Sequence, residues 1–253
     1  MLPEPTLMLF AGIVLLAHAV QHAVGFGAML VSITVGAHLL DLRQIITLSI
    51  PLALVQAGAV VWRDRAAVAR PLLLRRILPL MSLGLLLGFF AAGQVRGDAL
   101  RSVFAGLVIV LASRELWVLW RERAGSRSDR PPPRALSIAA LFGAGVVHGL
   151  YATGGPLLVY AVGREPLDKR GFRATLSAVW LGLNALLIGG FVLEGRYTLD
   201  TLRPLVVLFV ALPCGMWVGG LVHRRVAERP FRASVHALLI VAAGSLLWRS
   251  AAV

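Results

Sequence analysis

The chain alternates between long apolar segments and short clusters of arginine, and this pattern limits the folds that are open to it. Ten apolar segments lie at about 6–23, 27–38, 44–62, 72–93, 99–120, 136–151, 155–163, 173–193, 203–222 and 231–249. Only 15% of the residues are charged, against about 25% in soluble domains. Since about 20 apolar residues span a bilayer as a helix, the sequence predicts an all-α polytopic membrane protein.

The formal net charge of +13 comes almost entirely from arginine. A nucleic-acid-binding protein would gather such cations on one face or stripe, whereas here they lie between apolar segments, as the positive-inside rule describes. We therefore expect a lipid bilayer and no nucleic acid as the partner. The single cysteine, Cys214, excludes an intrachain disulfide and a cysteine-rich metal site. We predict no metal and no cofactor.

A polar linker divides the chain into halves with the same number of apolar segments. It runs from Arg121 to Arg134 and contains the triplet Pro131-Pro132-Pro133. Equal halves are typical of transporters that are built from internal repeats. We predict a first membrane repeat at residues 1–120, a cytoplasmic linker at 121–134 and a second membrane repeat at 135–253.

Short sequence matches at an offset of about 127 residues support the duplication. The stretch from Val35 to Arg43 aligns with that from Val162 to Arg170. Shortly afterwards, Thr47-Leu48-Ser49 aligns with Thr175-Leu176-Ser177. An offset that stays near 127 residues over several matches indicates a common origin of the two halves.

Charge assigns a side of the membrane to each loop. The loops with an excess of arginine and lysine are expected in the cytoplasm, and they lie at 63–76, 121–134, 164–173 and 223–232. The hairpin at 6–38 then enters from outside and that at 135–163 from the cytoplasm. This predicts two inverted repeats, each a broken helical hairpin plus three transmembrane helices. If the first hairpin were a single broken span, the N-terminus would be cytoplasmic.

The stretch from His148 to Pro156 interrupts a strongly apolar run. Its adjacent glycines, Gly154 and Gly155, and the proline break a helix. Backbone groups that a break exposes at membrane depth are tolerated only inside protein or beside a cavity. A weaker copy runs from His22 to Gly27. Inverted-repeat carriers bind substrate where such broken elements meet, so we expect the site there.

The predicted membrane centre holds no Asp, Glu, Lys or Arg, although cation carriers need an intramembrane carboxylate. It holds neutral donors, and half-helices add unpaired N–H groups with a partial positive charge. This combination predicts a small anionic substrate, an oxyanion bound by dipoles and hydroxyls. The candidate substrate-binding residues are His22, Gly25, Phe26, Gly27, Thr47, Ser49, His148, Tyr151, Thr153, Gly154, Gly155, Pro156, Thr175, Ser177 and Asn184.

Each residue type has an expected role. Glycine lets an oxyanion approach the backbone closely, and Pro156 suits the first turn of the next half-helix. His22 and His148 sit in corresponding places beside the breaks and are candidates for anion contact or proton coupling. Hydroxyl side chains in membrane helices usually bond their own backbone, but their recurrence in both halves favours a site. The run Gly143-Ala144-Gly145 is expected to let helices pack closely.

Two other classes of function stay open. An intramembrane hydrolase or transferase would use His148 and a hydroxyl, although no Gly-x-Ser-x-Gly, phosphate-binding loop or His-Glu-x-x-His motif is present. A membrane subunit without a substrate would use the breaks as docking surfaces. A carrier returns its substrate unchanged, an enzyme alters it, and a subunit loses its partner when Gly154 is enlarged.

The order of these features resembles the TauE/SafE-type sulfite exporters. The resemblance rests on Val24-Gly25-Phe26-Gly27 and on Tyr151-Ala152-Thr153-Gly154-Gly155-Pro156, each followed by a glycine, an acidic–basic turn and a helix with Thr and Ser. It covers about Leu9 to Trp248. The first break departs from the family pattern, which is richer in glycine and has a proline a few residues later. In the second half, Pro156 directly follows the glycines.

The resemblance implies a multi-pass permease for sulfite, a sulfonate or a related organic anion. We expect transport by alternating access, and a bacterial inner membrane suits the arginine-rich, loop-poor chain. The resemblance does not specify the exact substrate, the direction of transport, the coupling ion or the oligomeric state.

Overall fold

The computed structural model describes residues 3–95, 97–123, 133–163, 165–225 and 228–251, and every regular element in them is helical. The helices are α1 (Glu4–Val24), α2 (Ala28–Gly36), α3 (Leu42–Asp64), α4 (Arg70–Leu72), α5 (Leu78–Gln94), α6 (Gly97–Arg123), α7 (Arg134–Tyr151), α8 (Gly155–Val162), α9 (Lys169–Leu193), α10 (Leu199–Arg225) and α11 (Glu228–Ala251). A 3-10 turn, Arg65–Ala67, follows α3, and a π-helical segment, Leu73–Ile77, joins α4 to α5.

In the described part of the chain, seven helical stretches are long and apolar enough to cross a membrane. They are α1, α3, the continuous stretch from α4 to α5, α6, α7, α9 and α10. In addition, α11 contains a shorter apolar stretch, Ala233–Trp248. The predicted all-α polytopic fold is therefore confirmed. Most of the predicted linker at 121–134 lies outside the described residues, and the repeat boundaries stay a prediction.

The helices form two compact units. Unit 1 consists of the described residues within Met1–Ile46, Val95–Ser128 and Arg203–Val253, and unit 2 of those within Thr47–Gln94 and Asp129–Leu202. Unit 1 thus contains α1, α2, α6, α11 and most of α10. Unit 2 contains most of α3 together with α4, α5, α7, α8 and α9. Each unit therefore draws helices from both halves of the chain.

In unit 1, α1 and α2 form a hairpin with arms of unequal length. The chain leaves α1 at Gly25 and enters α2 at Gly27, with φ angles of 96° and 110° that favour glycine. The start of α1, at Pro3 and Thr6, and the loop after α2, at Asp41, line the same cavity of about 920 Å³. This hairpin therefore begins and ends on one side of its unit, which favours a hairpin over a single broken span.

In unit 2, α7 and α8 form the second hairpin. Near the start of α7, Ser137 donates a hydrogen bond to the carbonyl oxygen of Ala161 in α8 (3.2 Å). Arg76 donates to the Ser137 hydroxyl (2.7 Å) and pairs with Glu165 (2.7 Å). Both ends of this hairpin are thus held on the same side of the unit. With 8 residues, α8 is about 12 Å long, less than half the thickness of a roughly 30 Å hydrocarbon core.

The helices of unit 2 pack at backbone contact through glycine. A Cβ atom added at Gly84 of α5 would lie 2.2 Å from the carbonyl oxygen of Phe142, and one at Gly88 would lie 2.1 Å from that of Val146. From the α7 side, a Cβ at Gly145 would lie 2.2 Å from the Met81 carbonyl oxygen. Close packing predicted for the Gly143-Ala144-Gly145 run is therefore confirmed at its last residue. The tight contact holds α7, the helix that leads to the break, against α5.

Candidate functional site

The second break is compact and is made by three residues between α7 and α8. Ala152 has a φ of 52°, the only positive φ of a non-glycine residue in the described chain. Its N–H donates to the carbonyl oxygen of His148 (2.7 Å), which closes α7. Gly154 follows in a non-helical conformation, and α8 begins at Gly155. The break thus lies within the predicted stretch from His148 to Pro156, at residues 152–154, whereas Gly155 and Pro156 already belong to the first turn of α8.

Gly154 is needed because the chain folds back onto α7. A Cβ atom at this position would lie 2.3 Å from the carbonyl oxygen of Ala144, well inside the separation that real Cβ atoms keep. The space that a side chain would fill is therefore occupied by backbone. This packing accounts for the glycine, and the approach of an anion to its backbone stays a prediction.

The two breaks differ in how the following helix begins. In the first, the N–H of Ala28 at the start of α2 donates to the side-chain oxygen of Gln21 (3.1 Å). In the second, no side chain of the described residues caps the start of α8, and Pro156 has no N–H to offer. Unpaired N–H groups at a helix N-terminus carry partial positive charge. Of the two described breaks, the second therefore offers the uncapped helix start.

Three side chains of the candidate site contact one another in unit 2. His148, in the last turn of α7, lies with its Nε2 3.1 Å from Oδ1 of Asn184 in α9. The imidazole stacks on the ring of Trp180, with 5.5 Å between centroids and 20° between planes. His148, Asn184 and Trp180 are only 1%, 2% and 6% exposed. The structure therefore brings together two predicted residues and a tryptophan that the sequence analysis missed.

This cluster contains polar atoms without a partner. Neither Nδ1 of His148 nor Nε1 of Trp180 forms a hydrogen bond with any described residue. Leaving a buried polar atom unsatisfied costs about 1–3 kcal/mol, and native proteins keep few such atoms. Two of them on stacked rings mark the cluster as a place where a polar ligand would gain contacts.

The predicted hydroxyl pairs are used in different ways. In unit 2, Thr175 accepts a hydrogen bond from the N–H of Ala69 just before α4 (3.0 Å). The hydroxyl of Ser49 is buried and has no partner among the described residues, and the Ser177 side chain is buried as well. The structure therefore assigns Thr175 a helix-connecting contact and leaves Ser49 available.

Thr47 marks a contact between α3 and the loop after α9. Its carbonyl oxygen accepts a hydrogen bond from the hydroxyl of Tyr197 (3.3 Å). Burial raises the pKa of Tyr197 to about 12, because the phenolate would lose its hydration. The hydroxyl therefore stays protonated and available as a donor at neutral pH.

The other predicted residues line the two breaks. Tyr151 is fully buried, and Thr153 and Gly155 are buried beside it, with Pro156 half-buried. In unit 1, Phe26 is buried between the two positive-φ glycines. His22 packs against α10, where a Cβ at Gly219 would lie 2.9 Å from the histidine Cβ. His22 therefore lies beside the first break in unit 1, and His148 lies beside the second break in unit 2.

An ionic cluster lies at one end of unit 2, and its contacts were not predicted from the sequence. Asp64, which is 3% exposed, accepts hydrogen bonds from Arg170 (2.7 Å) and Arg173 (3.2 Å). These residues lie in the loops predicted to be cytoplasmic. The carboxylate thereby joins the end of α3 to the start of α9, the helix that carries Trp180 and Asn184.

Comparison with known proteins gives two matches. The profile of the family described as "Sulfite exporter TauE/SafE" matches residues 9–246. A protein of Comamonas testosteroni described as "Probable inner membrane transporter protein TsaS" is 29% identical over 217 residues, which cover 81% of this chain and 83% of that protein. No solved structure matches the chain.

Proposed function

The chain belongs to the sulfite exporter TauE/SafE family, and from this we propose that it carries a small sulfur oxyanion across the inner membrane by alternating access. Membership makes it a multi-pass inner-membrane transporter and not an enzyme. Sulfite, a sulfonate or a related organic anion is the proposed substrate. The proposed binding site is the second break with His148, Asn184 and Ser49.

The observation that carries this proposal is the uncapped start of α8 in the same unit as a buried histidine with a free nitrogen. His148 lies one helical turn before the break, since its carbonyl oxygen accepts the N–H that closes α7. An anion gains from unpaired N–H groups at a helix start. A neutral site of this kind binds an oxyanion without a buried cation.

The charge of the region supports an anion over a cation. No Asp, Glu, Lys or Arg occurs from Ala135 to Gly163 or from Thr175 to Leu193. A metal or organic cation would need a carboxylate at this depth. The proposed substrate therefore meets donors and dipoles of the protein, and no fixed charge that would hold it too firmly to be released.

Similar packing within each unit supports the proposed inverted repeats. In unit 2, glycines four residues apart in α5, Gly84 and Gly88, contact the backbone of α7. In unit 1, glycines four residues apart in α10, Gly215 and Gly219, contact the backbone of α1, with distances of 2.5 and 2.4 Å from the added Cβ to carbonyl oxygens. In the proposed repeats α5 corresponds to α10 and α7 to α1. Such repeats are the usual basis of alternating access.

His22 and His148 are the proposed residues for proton coupling. Histidine is the side chain that most readily takes up and releases a proton near neutral pH. Coupling through these residues would make sulfite flux respond to a pH gradient, and the response would be lost when the responsible imidazole is replaced.

The test is sulfite flux in proteoliposomes that hold the purified protein, with labelled sulfite as substrate and chloride and sodium as control ions. We expect saturable sulfite flux, which His148→Gln abolishes and His38→Gln retains. His38 is a matched control because it lies in unit 1 at the cavity of about 920 Å³. Absence of anion flux in folded wild-type protein would refute the proposal.

A further inference from the structure

The stacked pair of His148 and Trp180 restricts the hydrogen-bonding pattern of any ligand that meets it. The carbonyl oxygen of Asn184 only accepts hydrogen bonds. Its contact with Nε2 of His148 (3.1 Å) therefore requires the imidazole proton on Nε2. In the neutral ring, Nδ1 is then an acceptor with a free lone pair.

The neutral ring, which is the deprotonated state in the proposed coupling, is the form that suits this environment. His148 is 1% exposed, and none of the described carboxylates forms a hydrogen bond or an ion pair with it. A buried charge without a partner is costly. The Asn184 side chain is a neutral partner, so it orients the ring without charging it.

Trp180 supplies a hydrogen-bond donor, whereas His148 supplies an acceptor. The indole Nε1 of Trp180 is a donor only, and like Nδ1 of His148 it is buried and has no partner among the described residues. The two rings are stacked, with 5.5 Å between their centroids and 20° between their planes, so the unpaired acceptor and the unpaired donor belong to one buried pair of side chains.

A ligand that satisfies both atoms must carry an O–H group for the imidazole and a bare oxygen for the indole. Hydrogen sulfite, in its hydroxyl form, has both on one sulfur atom. A sulfonate or a fully ionised oxyanion has only acceptor oxygens, so it would place a lone pair against the lone pair of Nδ1. An unmatched buried polar atom is the device by which sites reject close analogues.

We propose that His148 and Trp180, with Asn184 fixing the tautomer, select singly protonated oxyanions such as hydrogen sulfite over sulfonates of the same shape. This inference rests on the proposed function, because it concerns the substrate of the same site. It adds Trp180 to the residues that contact the anion and gives Asn184 the role of a positioning residue.

The test uses two competitors that differ by one O–H group. Methylphosphonate, under mildly acidic conditions that keep it a monoanion, carries a hydroxyl, whereas methanesulfonate has the same shape and charge without one. Each is titrated against labelled sulfite bound to the purified protein. We expect methylphosphonate to compete at least about tenfold better, the factor that one unmatched buried hydrogen bond costs.

Two variants separate the contacts. Trp180→Phe keeps an aromatic ring to stack on the histidine but removes the indole N–H, so both competitors should weaken by about fivefold or more. Trp217→Phe is the matched control, because that tryptophan is 69% exposed, and it should leave both unchanged. Asn184→Asp should favour the doubly protonated ring, whose Nδ1 then donates, and the preference should turn towards methanesulfonate.

The outcomes distinguish this inference from the proposed function. Bound sulfite that both competitors displace equally, or that methanesulfonate displaces better, overturns the selection of a protonated oxyanion and leaves anion transport intact. No binding of labelled sulfite by folded protein overturns the proposed function and this inference with it. A reversed preference in Asn184→Asp, in protein with the helical content and elution volume of the wild type, supports the assigned tautomer.

Discussion

Replacing Gly88 in α5 by alanine tests whether backbone contact holds α7 in place. Alanine normally stabilises a helix by about 1 kcal/mol relative to glycine, so the default expectation for Gly88→Ala is a gain. Here the added Cβ would lie 2.1 Å from the carbonyl oxygen of Val146, and at Gly84 it would lie 2.2 Å from that of Phe142. Both obstacles are backbone atoms, which cannot rotate away as a side chain can.

The expected loss of stability follows from the distance by which α5 and α7 must move apart. Real Cβ atoms essentially never approach closer than 3.0 Å, so α5 and α7 must separate by about 0.9 Å at Gly88. Overpacking of this kind costs about 1–3 kcal/mol, and dispersion contacts along the interface weaken with the gap. After the gain of about 1 kcal/mol in helix propensity is subtracted, we expect Gly88→Ala to lose up to about 2 kcal/mol.

The assay is thermal unfolding in detergent, with Gly93→Ala as the matched control in the same helix. A Cβ at Gly93 meets nothing within 4 Å, so this substitution should hold or raise the Tm. For a chain of this size, 1 kcal/mol corresponds to about 2–4 °C, so Gly88→Ala should lower the Tm by up to about 8 °C and unfold below Gly93→Ala. If the two variants unfold at the same temperature, the backbone contact does not limit the separation of the helices, and the reasoning fails.

Three further predictions concern polar contacts in unit 2. Asp64→Asn should lower the free energy of unfolding by about 2 kcal/mol, because it leaves arginines of α9 without their buried counter-charge. Asp98→Asn, the control at an exposed position, should change it by almost nothing. Equal Tm values for the two variants would contradict this prediction. Thr175→Val should lower the free energy of unfolding by about 1 kcal/mol, because the backbone N–H of Ala69 loses its acceptor, and it should keep sulfite flux. Loss of flux at an unchanged Tm would indicate instead that Thr175 binds the substrate. Because burial raises the pKa of Tyr197 from 10.0 to about 12, its stabilising effect should be complete below pH 10 and decline from there to about pH 12. The Tm difference between wild type and Tyr197→Phe should shrink over that range, and a difference that is constant with pH would show that the tyrosine is not buried.

The break illustrates what local sequence can predict. Two adjacent glycines and a proline predict a helix break in an apolar run, and the structure has it at residues 152–154, just before Gly155 and Pro156 in the first turn of α8. The contact between His148 and Asn184 could not be derived in this way, because 36 residues separate them. Their inclusion in one predicted site rested on depth in the membrane, and the structure supplies the pairing.

Trp180 was missed although a signal for it existed. It precedes Asn184 by four residues in α9, and residues at that spacing share one face of a helix. A predicted site at Asn184 therefore implied that Trp180 faces the same surroundings. The hydrogen bond of Thr175 could not be predicted from the sequence, because its partner Ala69 lies 106 residues away. No local pattern shows that a hydroxyl already accepts a hydrogen bond from such a distant residue.

The capping of α2 by Gln21 has a consequence for stoichiometry. Its amide oxygen lies 3.1 Å from the N–H of Ala28, and in the proposed site a substrate oxygen would take the equivalent position at the second break. In the proposed repeats, the protein thus fills one of the two breaks with its own side chain. The two proposed repeats would then bind one exchangeable anion per molecule instead of two. Binding of labelled sulfite should accordingly saturate at one sulfite per protein molecule.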